Sequence, residues 1–521
     1  MSRVKKTIKN AWVAIAMNIL LLLLAFISRK VFIDSLGDNI TGLNSTLSDI
    51  LGFLNLAEMG VLAAIAYSLY KPLFENDRTE ICNIMSILCY VYRIIGIFIL
   101  ITGVFLSLFL PMIFSGKGVD MPTIYIGYYT FLLVNLLSYF INYKQNILIA
   151  DQRNWVIVST LGFTNIVKII LQVIALKYTD VDLVIKYSLF LIIELAFGFA
   201  YSFIINLRVK KLYPWLRSSF TAGRKLRKEY TSIFHLIKQV FSHKFGNFIL
   251  TQTDSLVISL ISSTFTAVTI YTNYILIFSR LTRLCFSAFD NIGAGIGNLI
   301  AEGNSKSVYS TYKQLNAIFF LIAGIIVVCG YHLTAPFIRI WLGDGEKFII
   351  DNMLFILILA NIYISVIRRI NELFLNAHGL FSDVWAPWSE AVVNLGISLV
   401  LGYKMGVIGV VIGTLISTLL IGVIWKPIFL YRKAFRIRSF KYYASALKFG
   451  AITLITIWAT NLLISSSFIS TPTTYTSWFV NAITITVAVS VMMLLMFYVS
   501  DSATRYVTRR AYQFVREKLR A

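Results

Sequence analysis

Residues 28 to 60 read SRKVFIDSLGDNITGLNSTLSDILGFLNLAEMG, and they carry charge where an apolar helical hairpin ordinarily has none. Arg29 and Lys30 end one apolar run, and Asp49 and Glu58 lie inside the next. A charged side chain near the centre of a bilayer costs about 2.5–3.5 kcal/mol on insertion scales. Several charges in one hairpin therefore predict a water-filled cavity that they face, with the rest of the chain forming its walls.

The composition indicates a membrane protein throughout. Hydrophobic residues make up 58% of the 521 residues, charged residues make up 14%, and the mean hydropathy is +0.77. These values lie outside the range of soluble globular domains. The formal charge of +23 comes from short basic tracts between apolar runs, which is typical of cytoplasmic loops and not of a nucleic-acid-binding surface. We therefore expect a polytopic membrane protein with no nucleic-acid partner.

Fourteen apolar runs are long enough to cross the membrane as helices, which takes about 20 residues at 1.5 Å per residue. The expected fold class is therefore an all-α polytopic membrane protein. The predicted spans are 11–33, 41–69, 86–113, 122–148, 155–177, 183–206, 234–262, 267–299, 309–332, 350–376, 384–403, 406–430, 443–466 and 477–499.

The basic residues fall between alternate spans, and this predicts the orientation. Lys and Arg are frequent before the first span, in the segment 207–233, between spans twelve and thirteen, and after the last span. Since cytoplasmic loops are rich in Lys and Arg, both termini are predicted to be cytoplasmic. Fourteen spans, an even number, agree with this orientation.

The basic segment 207–233 divides the chain after span six, so we expect the two parts to be repeats. At an offset of 229 residues, Asn44 aligns with Asn273 and Asn165 with Asn394. Trp155 and Trp385 miss this offset by one residue. The pattern predicts two six-helix bundles, related by a parallel pseudo-twofold repeat around a central cavity. The predicted domains are the bundles 1–206 and 234–431, the cytoplasmic linker 207–233, helices thirteen and fourteen at 432–499, and a basic cytoplasmic tail at 500–521.

Polar side chains in the second span follow the helical period. Asn44, Ser48, Asn55 and Glu58 step by three, four or seven residues, so they share one face of a helix, and Asp49 lies beside them. A polar stripe of this kind inside the membrane faces a neighbouring helix or water. The second span is therefore predicted to line the cavity.

Each intramembrane charge also has a structural alternative. Arg29 and Lys30 lie near the end of a span and could snorkel to the interface, and Arg283 could form a helix-joining ion pair with Asp290 or Glu58. Both interpretations stay open from the sequence. The candidate substrate-binding residues of the cavity are Arg29, Lys30, Asn44, Asp49, Asn55, Glu58, Lys168, Asp254, Asn273, Arg280, Arg283, Asp290, Arg368 and Glu372.

No pattern in the sequence is typical of an active site or a metal site. Gly293, Gly295 and Gly297 follow no predicted strand and precede no Lys-Ser/Thr pair, so we interpret them as positions of close helix packing. The four histidines are scattered, with no HExxH motif and no nucleophile elbow. The four cysteines show no CxxC or metal-ligand spacing. We therefore predict no catalytic residue, no metal and no enzymatic activity.

Four regions spread along the chain carry a family resemblance. They are TGLNSTLSDILGFLNLAEMGVLAAIAYSLYKPL at 41–73, INYKQNILIADQRNW at 141–155, TDSLVIS at 253–259 with YTNYILI at 271–277, and IRIWLGD at 338–344. Together they resemble the polysaccharide-transport branch of the multidrug/oligosaccharidyl-lipid/polysaccharide (MOP) exporter superfamily. That branch includes the Wzx-type flippases of O-antigen and capsule repeat units.

The resemblance implies a fold, a location and a substrate. It implies fourteen helices in two bundles, with a cavity that alternates between the two faces of the bacterial inner membrane. The implied substrate is an oligosaccharide on undecaprenyl pyrophosphate, used to build lipopolysaccharide O-antigen or capsule. Relatives that flip the peptidoglycan precursor keep cations at the end of helix one and in helix eight, where this sequence has Arg29 and either Arg280 or Arg283.

No cofactor is expected, and the energy is expected to come from the membrane potential or from an H⁺ or Na⁺ gradient acting through Asp49 or Glu58. An anion moving outward gains about 2.3 kcal/mol per charge per 100 mV. The expected partners are the lipid-linked oligosaccharide, membrane lipids, and a polysaccharide polymerase with other assembly proteins.

Two other functions remain open. A multidrug/cation antiporter of the same superfamily would have an acidic cavity, and the excess of Arg and Lys at membrane depth counts against it. A polysaccharide polymerase or ligase would carry a sizeable outer loop with catalytic residues. The predicted outer loops of this sequence are short.

Overall fold

The computed structural model describes residues 3–54, 61–287, 289, 292–343, 346–380, 382–464 and 471–520. In these ranges the chain is helical and has no strand, which confirms the all-α fold class. The helices are α1 (Arg3–Leu54), α2 (Val61–Glu75), α3 (Arg78–Ser107), α4 (Leu110–Phe114), α5 (Met121–Phe140), a 3₁₀ turn (Asn142–Gln145), α6 (Asn146–Ala150), α7 (Asn154–Tyr178), α8 (Leu183–Leu212), α9 (Phe220–Leu226), α10 (Thr231–Ile261), α11 (Thr266–Ser287), α12 (Ile292–Ala301), α13 (Ser305–Leu342), α14 (Asn352–Ala377), α15 (Trp385–Met405), α16 (Val407–Thr418), a π-helical turn (Leu419–Trp425), α17 (Lys426–Leu430), a second π-helical turn (Tyr431–Phe435), α18 (Phe440–Leu463), α19 (Tyr475–Ser500) and α20 (Ser502–Arg520).

The described residues of the fourteen predicted spans fall almost entirely on helices. Within the described ranges, nine helices are long and apolar enough to cross a membrane: α3, α5, α7, α8, α13, α14, the continuous helix Val407–Phe435, α18 and α19. The described residues of the other five predicted spans fall on the two arms of α1, on α2, on α10, on α11 and α12, and on α15. Helices are the expected form for these runs because the hydrocarbon offers no partner for backbone N–H and C=O groups. The chain is a multi-pass membrane protein.

Gly37 divides α1 into two arms. Its backbone angles (φ 80°, ψ 165°) are not helical, and a positive φ is a conformation that glycine adopts without steric penalty. The second arm begins immediately, and the Thr41 hydroxyl donates to the Gly37 carbonyl oxygen at 2.7 Å. The apolar hairpin predicted from residues 28 to 60 therefore turns at Gly37.

Polar side chains at the starts of several helices accept hydrogen bonds from the first backbone N–H groups, which have no partner inside the helix. Asp77 caps α3, Asp120 caps α5, Asn304 caps α13, and Asp351 caps α14. Thr474 and Ser477 form a reciprocal capping box at the start of α19. These caps fix where the membrane-crossing helices begin.

The chain divides into two compact units, Met1–Thr272 and Asn273–Ala521, and the boundary lies inside α11. The core of the first unit joins residues from the second arm of α1 to residues of α2, α3 and α5, including Leu43, Ile65, Leu88 and Tyr128. This division does not test the bundle, linker and tail boundaries predicted from the sequence, which stay predictions.

Aromatic side chains form the core of the second unit. Tyr312 donates to Asn371 Oδ1 at 2.7 Å, and Asn371 donates to Tyr442 Oη at 3.3 Å, so α13, α14 and α18 are joined by buried polar contacts. Phe449 stacks on Phe497 with ring centroids 4.3 Å apart. This unit therefore packs α18 and α19, the last two predicted spans, against α13.

The basic segment 207–233 is folded onto the first unit. It contains the end of α8, helix α9 and the start of α10, and α9 packs against α3. A side chain at Gly223 would come within 2.0 Å of the Ser86 carbonyl oxygen, so this close approach requires glycine. The basic tail is also helical and forms α20 (Ser502–Arg520). This helix packs on α13 and α19.

The described contacts do not support one packing interpretation. A Cβ added at Gly293, Gly295 or Gly297 on α12 would meet no described atom within 4 Å. Glycine permits a close approach but does not require one. Gly42 of the hairpin does meet another segment, because a Cβ there would lie 2.0 Å from the Phe265 carbonyl oxygen in the α10–α11 connection.

Candidate functional site

Arg29 lies two helical turns before Gly37 and reaches toward other helices. Its guanidinium donates from Nη1 to Ser45 Oγ at 3.3 Å and from Nη2 to Thr272 Oγ1 at 2.6 Å. Ser45 is on the second arm of α1 and Thr272 is on α11. The partly buried guanidinium is thus oriented by two hydroxyl groups from different helices.

Lys30, the next residue, behaves differently. Its ammonium group lies 3.3 Å from Asp34 Oδ2, one turn further along the same arm, and both side chains are well exposed. This is a local pair of the i, i+4 type, which contributes about 0.2–0.5 kcal/mol on a helix. Arg29, in contrast, contacts residues 16 and 243 positions away in the sequence.

Two carboxyl groups lie in the same region of the first unit, beyond Ser45. Asp49, one turn after Ser45 on the same face, lies within electrostatic reach of Ser255 and Asp254 on α10. Asp254 is buried on α10 and accepts a hydrogen bond from the Tyr271 hydroxyl at 2.8 Å. Neighbouring carboxylates repel when both are ionised, so such a pair is suited to binding a proton or a cation.

These groups form one site within the first unit, which we call the polar cluster. It contains three residues predicted from the sequence and four that were not predicted: Arg29, Asp49 and Asp254, with Ser45, Ser255, Tyr271 and Thr272. The spacing of Ser45 and Asp49, four residues apart in a predicted span, was a usable signal for one of the four. The others are ordinary hydroxyl residues of α10 and α11.

Asn44 and Asn273 lie outside the polar cluster. Asn44 accepts a hydrogen bond from the Tyr187 hydroxyl of α8 at 3.3 Å. Asn273 follows Thr272 on α11 and is buried. Three further predicted site residues lie outside the described residues: Asn55, Glu58 and Asp290.

Lys168 takes part in an ion pair between α7 and α8. Its ammonium group lies 2.7 Å from Glu194 Oε1, and Gln172 donates to Glu194 Oε2 at 3.0 Å. This arrangement matches the structural alternative for intramembrane charges. Its role in substrate binding stays a prediction.

Arg368 is bound by two carboxylates of the second unit. Its guanidinium lies 2.8 Å from Glu372 Oε1, one turn along α14, and 2.9 Å from Glu390 Oε1 on α15. The Glu390 side chain is nearly buried. A buried arginine held by two glutamates joins α14 to α15, and any further role of Arg368 and Glu372 stays a prediction.

Arg280 and Arg283 lie one turn apart on α11. Arg280 is half-buried and Arg283 is exposed. Within the part of the chain that the structure describes, neither guanidinium forms an ion pair. They stay the predicted cations of this helix.

A set of contacts that we call the latch joins three connections at one end of the first unit. Asn39 donates to the Lys117 carbonyl oxygen at 2.8 Å and accepts from the Phe265 N–H at 2.8 Å. The Lys117 ammonium group donates to the carbonyl oxygens of Ser259 and Ser262, at the end of α10. Burial lowers the pKa of Lys117. The latch ties the α1 hairpin and the α4–α5 loop to the α10–α11 connection, on the side predicted to be outer.

A scan of family models and a search of curated proteins find no match to this chain. Solved structures do match it. The lipid II flippase MurJ in an inward closed conformation is 18% identical, with a TM-score of 0.65 over 93% of this chain and 98% of MurJ.

Transporters of the MATE family also match. An inward-facing multidrug resistance MATE transporter of the MOP superfamily is 13% identical, with a TM-score of 0.57 over 80% of this chain and 97% of its own. The Vibrio cholerae MATE transporter VcmN in its bent form is 14% identical, with a TM-score of 0.51 over 83% and 97% of the two chains. At these identities the likeness is one of fold. The chain has the helical two-lobe fold that MurJ shares with the MATE transporters of the MOP superfamily.

Proposed function

We propose that this protein is a flippase of the bacterial inner membrane. It moves oligosaccharide repeat units on undecaprenyl pyrophosphate from the cytoplasmic to the outer leaflet by alternating access, for O-antigen or capsule synthesis. The observation that carries the proposal is Arg29, a cation placed among membrane-crossing helices and held there by Ser45 and Thr272.

The physical need for such a protein lies in the headgroup. Each unpaired hydroxyl moved into an alkane-like medium costs about 4–8 kcal/mol, so a sugar headgroup with many hydroxyls does not cross the hydrocarbon alone. A polar passage removes most of this cost, while the lipid tail stays in the bilayer. The pyrophosphate still needs a cation at membrane depth.

Arg29 suits the pyrophosphate because a guanidinium is planar, always charged and able to bind phosphate oxygens through two parallel N–H donors. The hydroxyl groups of Ser45 and Thr272 orient the guanidinium. Likeness in fold to MurJ, a lipid II flippase, supports a substrate of the same chemical kind.

The carboxyl pair of the polar cluster supplies the means of coupling. Asp49 lies one turn after Ser45, to which Arg29 donates. Asp254 accepts a hydrogen bond from Tyr271, which precedes Thr272, the second hydroxyl residue bound by Arg29. Uptake of H⁺ or Na⁺ by this pair would change the electrostatic field at Arg29 and so change its affinity for an anion. The membrane potential is the alternative source of energy.

The latch fits an alternating mechanism, because it closes the α1 hairpin against the α10–α11 connection. Opening this side requires Lys117 and Asn39 to give up hydrogen bonds to backbone groups, and each such bond contributes about 0.5–1.5 kcal/mol net. A few bonds of this strength can hold a state closed and still break during transport.

A second candidate function is cation-coupled multidrug export, and the Asp49–Asp254 pair is the observation that favours it. Two carboxyl groups next to an apolar helix could bind a cationic drug as well as a coupling ion. The nearby Arg29 counts against this candidate, because it lowers the affinity of the cluster for a second cation.

The test uses cells that lack the protein and measures lipid-linked oligosaccharide on each leaflet of the inner membrane with an enzyme that modifies exposed sugars and cannot cross the membrane. The proposal predicts accumulation on the cytoplasmic leaflet, which the wild-type protein relieves. Arg29→Ala and Arg283→Ala should lower the rate of relief at least about tenfold, the effect of about 1.4 kcal/mol.

Lys71→Ala is the control, since Lys71 lies outside the predicted site and its ammonium group forms an exposed i, i+4 pair with Glu75 at 3.9 Å. It should restore flipping to within about twofold of wild type, because its local pair contributes little. Repeat units that reach the outer leaflet but remain unpolymerised would contradict the flippase proposal and favour a polysaccharide polymerase or ligase. Normal distribution of the lipid together with increased sensitivity to cationic drugs would favour the second candidate.

A further inference from the structure

The second unit carries an apolar groove among α13, α14, the first π-helical turn and α18. Its cavity volume is about 670 Å³. The α18 wall is a stripe at helical spacing that includes Tyr443, Leu447, Gly450 and Leu454. Leu447 and Leu454 are strongly exposed, at 76% and 68%, which places the groove on a lipid-facing surface of the unit.

Gly450 shows independently that the groove is open. A Cβ added there would meet no described atom within 4 Å. Gly450 has no positive φ, so this position does not need glycine for its backbone conformation. The groove therefore has room beside α18 for a chain of methylene groups.

A basic pocket lies directly beyond one end of the groove. It has a cavity volume of about 710 Å³, and three of its seven lining residues are Arg432, Arg436 and Arg438. All three are exposed, and in the described part of the chain none of their guanidinium groups forms a hydrogen bond or an ion pair. The pocket therefore presents three uncompensated positive charges.

The two hollows share their walls. On one wall Leu419 and Val423 line the groove, and Ile428 and Arg432, about one and two turns further on, line the basic pocket. On the α18 wall Phe440 lines the pocket and Tyr443, one turn later, lines the groove. The Tyr443 hydroxyl donates to the Ile424 carbonyl oxygen at 2.7 Å and holds the two walls together at the junction.

The groove is long enough to hold an acyl chain of one leaflet. The groove runs along α18 from Tyr443 to Ile457, which is about 21 Å at 1.5 Å per residue. One leaflet contributes about 15 Å of hydrocarbon, half of about 30 Å. The pocket lies in the basic loop between α17 and α18, which is predicted to be cytoplasmic because of its Arg and Lys residues.

We propose that the groove and the basic pocket together form a binding site for an anionic phospholipid of the inner leaflet. One acyl chain lies in the groove against Leu447, Gly450 and Leu454, and the phosphate headgroup is bound by Arg432, Arg436 and Arg438. Basic pockets between helices on the cytoplasmic side are suited to anionic headgroups. This site is separate from the polar cluster and does not depend on the proposed function.

The test uses the full-length protein purified in detergent and titrated with phosphatidylglycerol or with phosphatidylcholine of the same chain length. Bound lipid is counted by native mass spectrometry. Wild type should bind phosphatidylglycerol at least about tenfold more tightly. Replacing Arg432, Arg436 and Arg438 together by Gln should weaken phosphatidylglycerol binding on the order of 100-fold, because three cations near an anionic lipid are lost.

The groove is tested separately with Gly450→Trp, which should fill the space and lower the binding of both lipids at least tenfold. Gly396→Trp on α15 is its matched control, since a Cβ there also meets no described atom within 4 Å and the residue does not line the groove. Arg224→Gln with Lys225→Gln and Lys228→Gln is the charge-matched control for the arginines. The melting temperature without lipid shows whether each variant is folded, and Gly450→Ala replaces Gly450→Trp if the latter is not.

Several results would overturn the proposal. Equal binding of the two lipids, or wild-type binding of phosphatidylglycerol by the triple arginine variant, would remove the headgroup site. Glycerol phosphate binding as tightly as phosphatidylglycerol would show that the groove takes no part. Displacement of phosphatidylglycerol by equimolar undecaprenyl phosphate would show that the site belongs to a polyprenyl lipid.

Discussion

Arg29 in the first unit and Arg368 in the second are both arginines of predicted membrane spans, but the contacts described above differ in kind. Arg368 is bound by the carboxylates of Glu372 and Glu390 at 2.8 and 2.9 Å. Arg29 donates to the hydroxyls of Ser45 and Thr272. A carboxylate compensates the charge of an arginine, whereas a hydroxyl orients the guanidinium. We therefore expect Arg368 to contribute mainly to stability and Arg29 mainly to binding.

The largest effect is expected at Arg368. Arg368→Met should lower the free energy of unfolding by about 3–5 kcal/mol, because Glu390 would lose its arginine while buried and Glu372 would keep only the longer contact with Arg369 at 3.9 Å. Thermal unfolding in detergent measures this. Adding Glu372→Gln and Glu390→Gln should restore most of the loss, and a triple variant no more stable than Arg368→Met would contradict the account.

Lys168, an ion-paired cation of the first unit, tests whether the loss of stability depends on the kind of partner or on the unit in which the residue lies. Lys168→Met should lower the free energy of unfolding by about 2–3 kcal/mol, below the range for fully buried pairs, because Lys168 and Glu194 are partly exposed. Lys168→Met with Glu194→Gln should recover stability. If Lys168→Met lowered the free energy of unfolding by less than Arg29→Gln in the same unit, the comparison would be contradicted.

Asp501 extends the comparison to the membrane surface. Burial alone would raise the pKa of Asp501, but hydrogen bonds from Lys448 and Thr504 lower it below its ordinary value. A carboxyl with a lowered pKa stabilises the fold above pH 3.8, its ordinary pKa, and this stability is lost as the pH falls through the lower folded value. Asp501→Asn should lower the free energy of unfolding by about 1–2 kcal/mol at neutral pH.

The melting temperature of wild type and Asp501→Asn, measured from pH 7 to pH 3, checks the sign. The two proteins should converge as the carboxyl is protonated. A difference that stays constant over this range would assign the effect to packing rather than to charge.

The smallest change in stability is expected at Arg29. Arg29→Gln should lower the free energy of unfolding by about 1 kcal/mol or less, since a glutamine can still hydrogen-bond to Ser45 and Thr272. The rate of flipping should nevertheless fall at least about tenfold. Comparable losses of stability in Arg29→Gln and Arg368→Met would end the distinction between the two arginines.

The helices were largely predictable, because an apolar run in hydrocarbon has few structures open to it besides a helix. The positions of charges along those helices were also readable, and the spacing of Arg368 and Glu372 at i, i+4 predicts contact. The partners of those charges on other helices could not be predicted. Thr272 is 243 residues from Arg29, and which helices pack together is decided by the whole fold.

Within the polar cluster the sequence analysis named the ionisable residues and did not name the neutral ones. Ser45, Ser255, Tyr271 and Thr272 belong to residue types that occur throughout membrane helices, so their presence carries little information. A glycine is informative only where the fold brings another segment close to it. Gly293, Gly295 and Gly297 form a conspicuous motif but would meet no described atom, whereas the isolated Gly42 meets the backbone of Phe265.

The latch has a consequence for how this protein can diverge. The Lys117 ammonium group binds only the carbonyl oxygens of Ser259 and Ser262, whereas at Phe265 it also lies over the ring, 5.9 Å from its centroid. Since every residue has a carbonyl oxygen, positions 259 and 262 can change among homologues without breaking these bonds. We therefore expect covariation between sequences to give no signal between position 117 and positions 259 and 262.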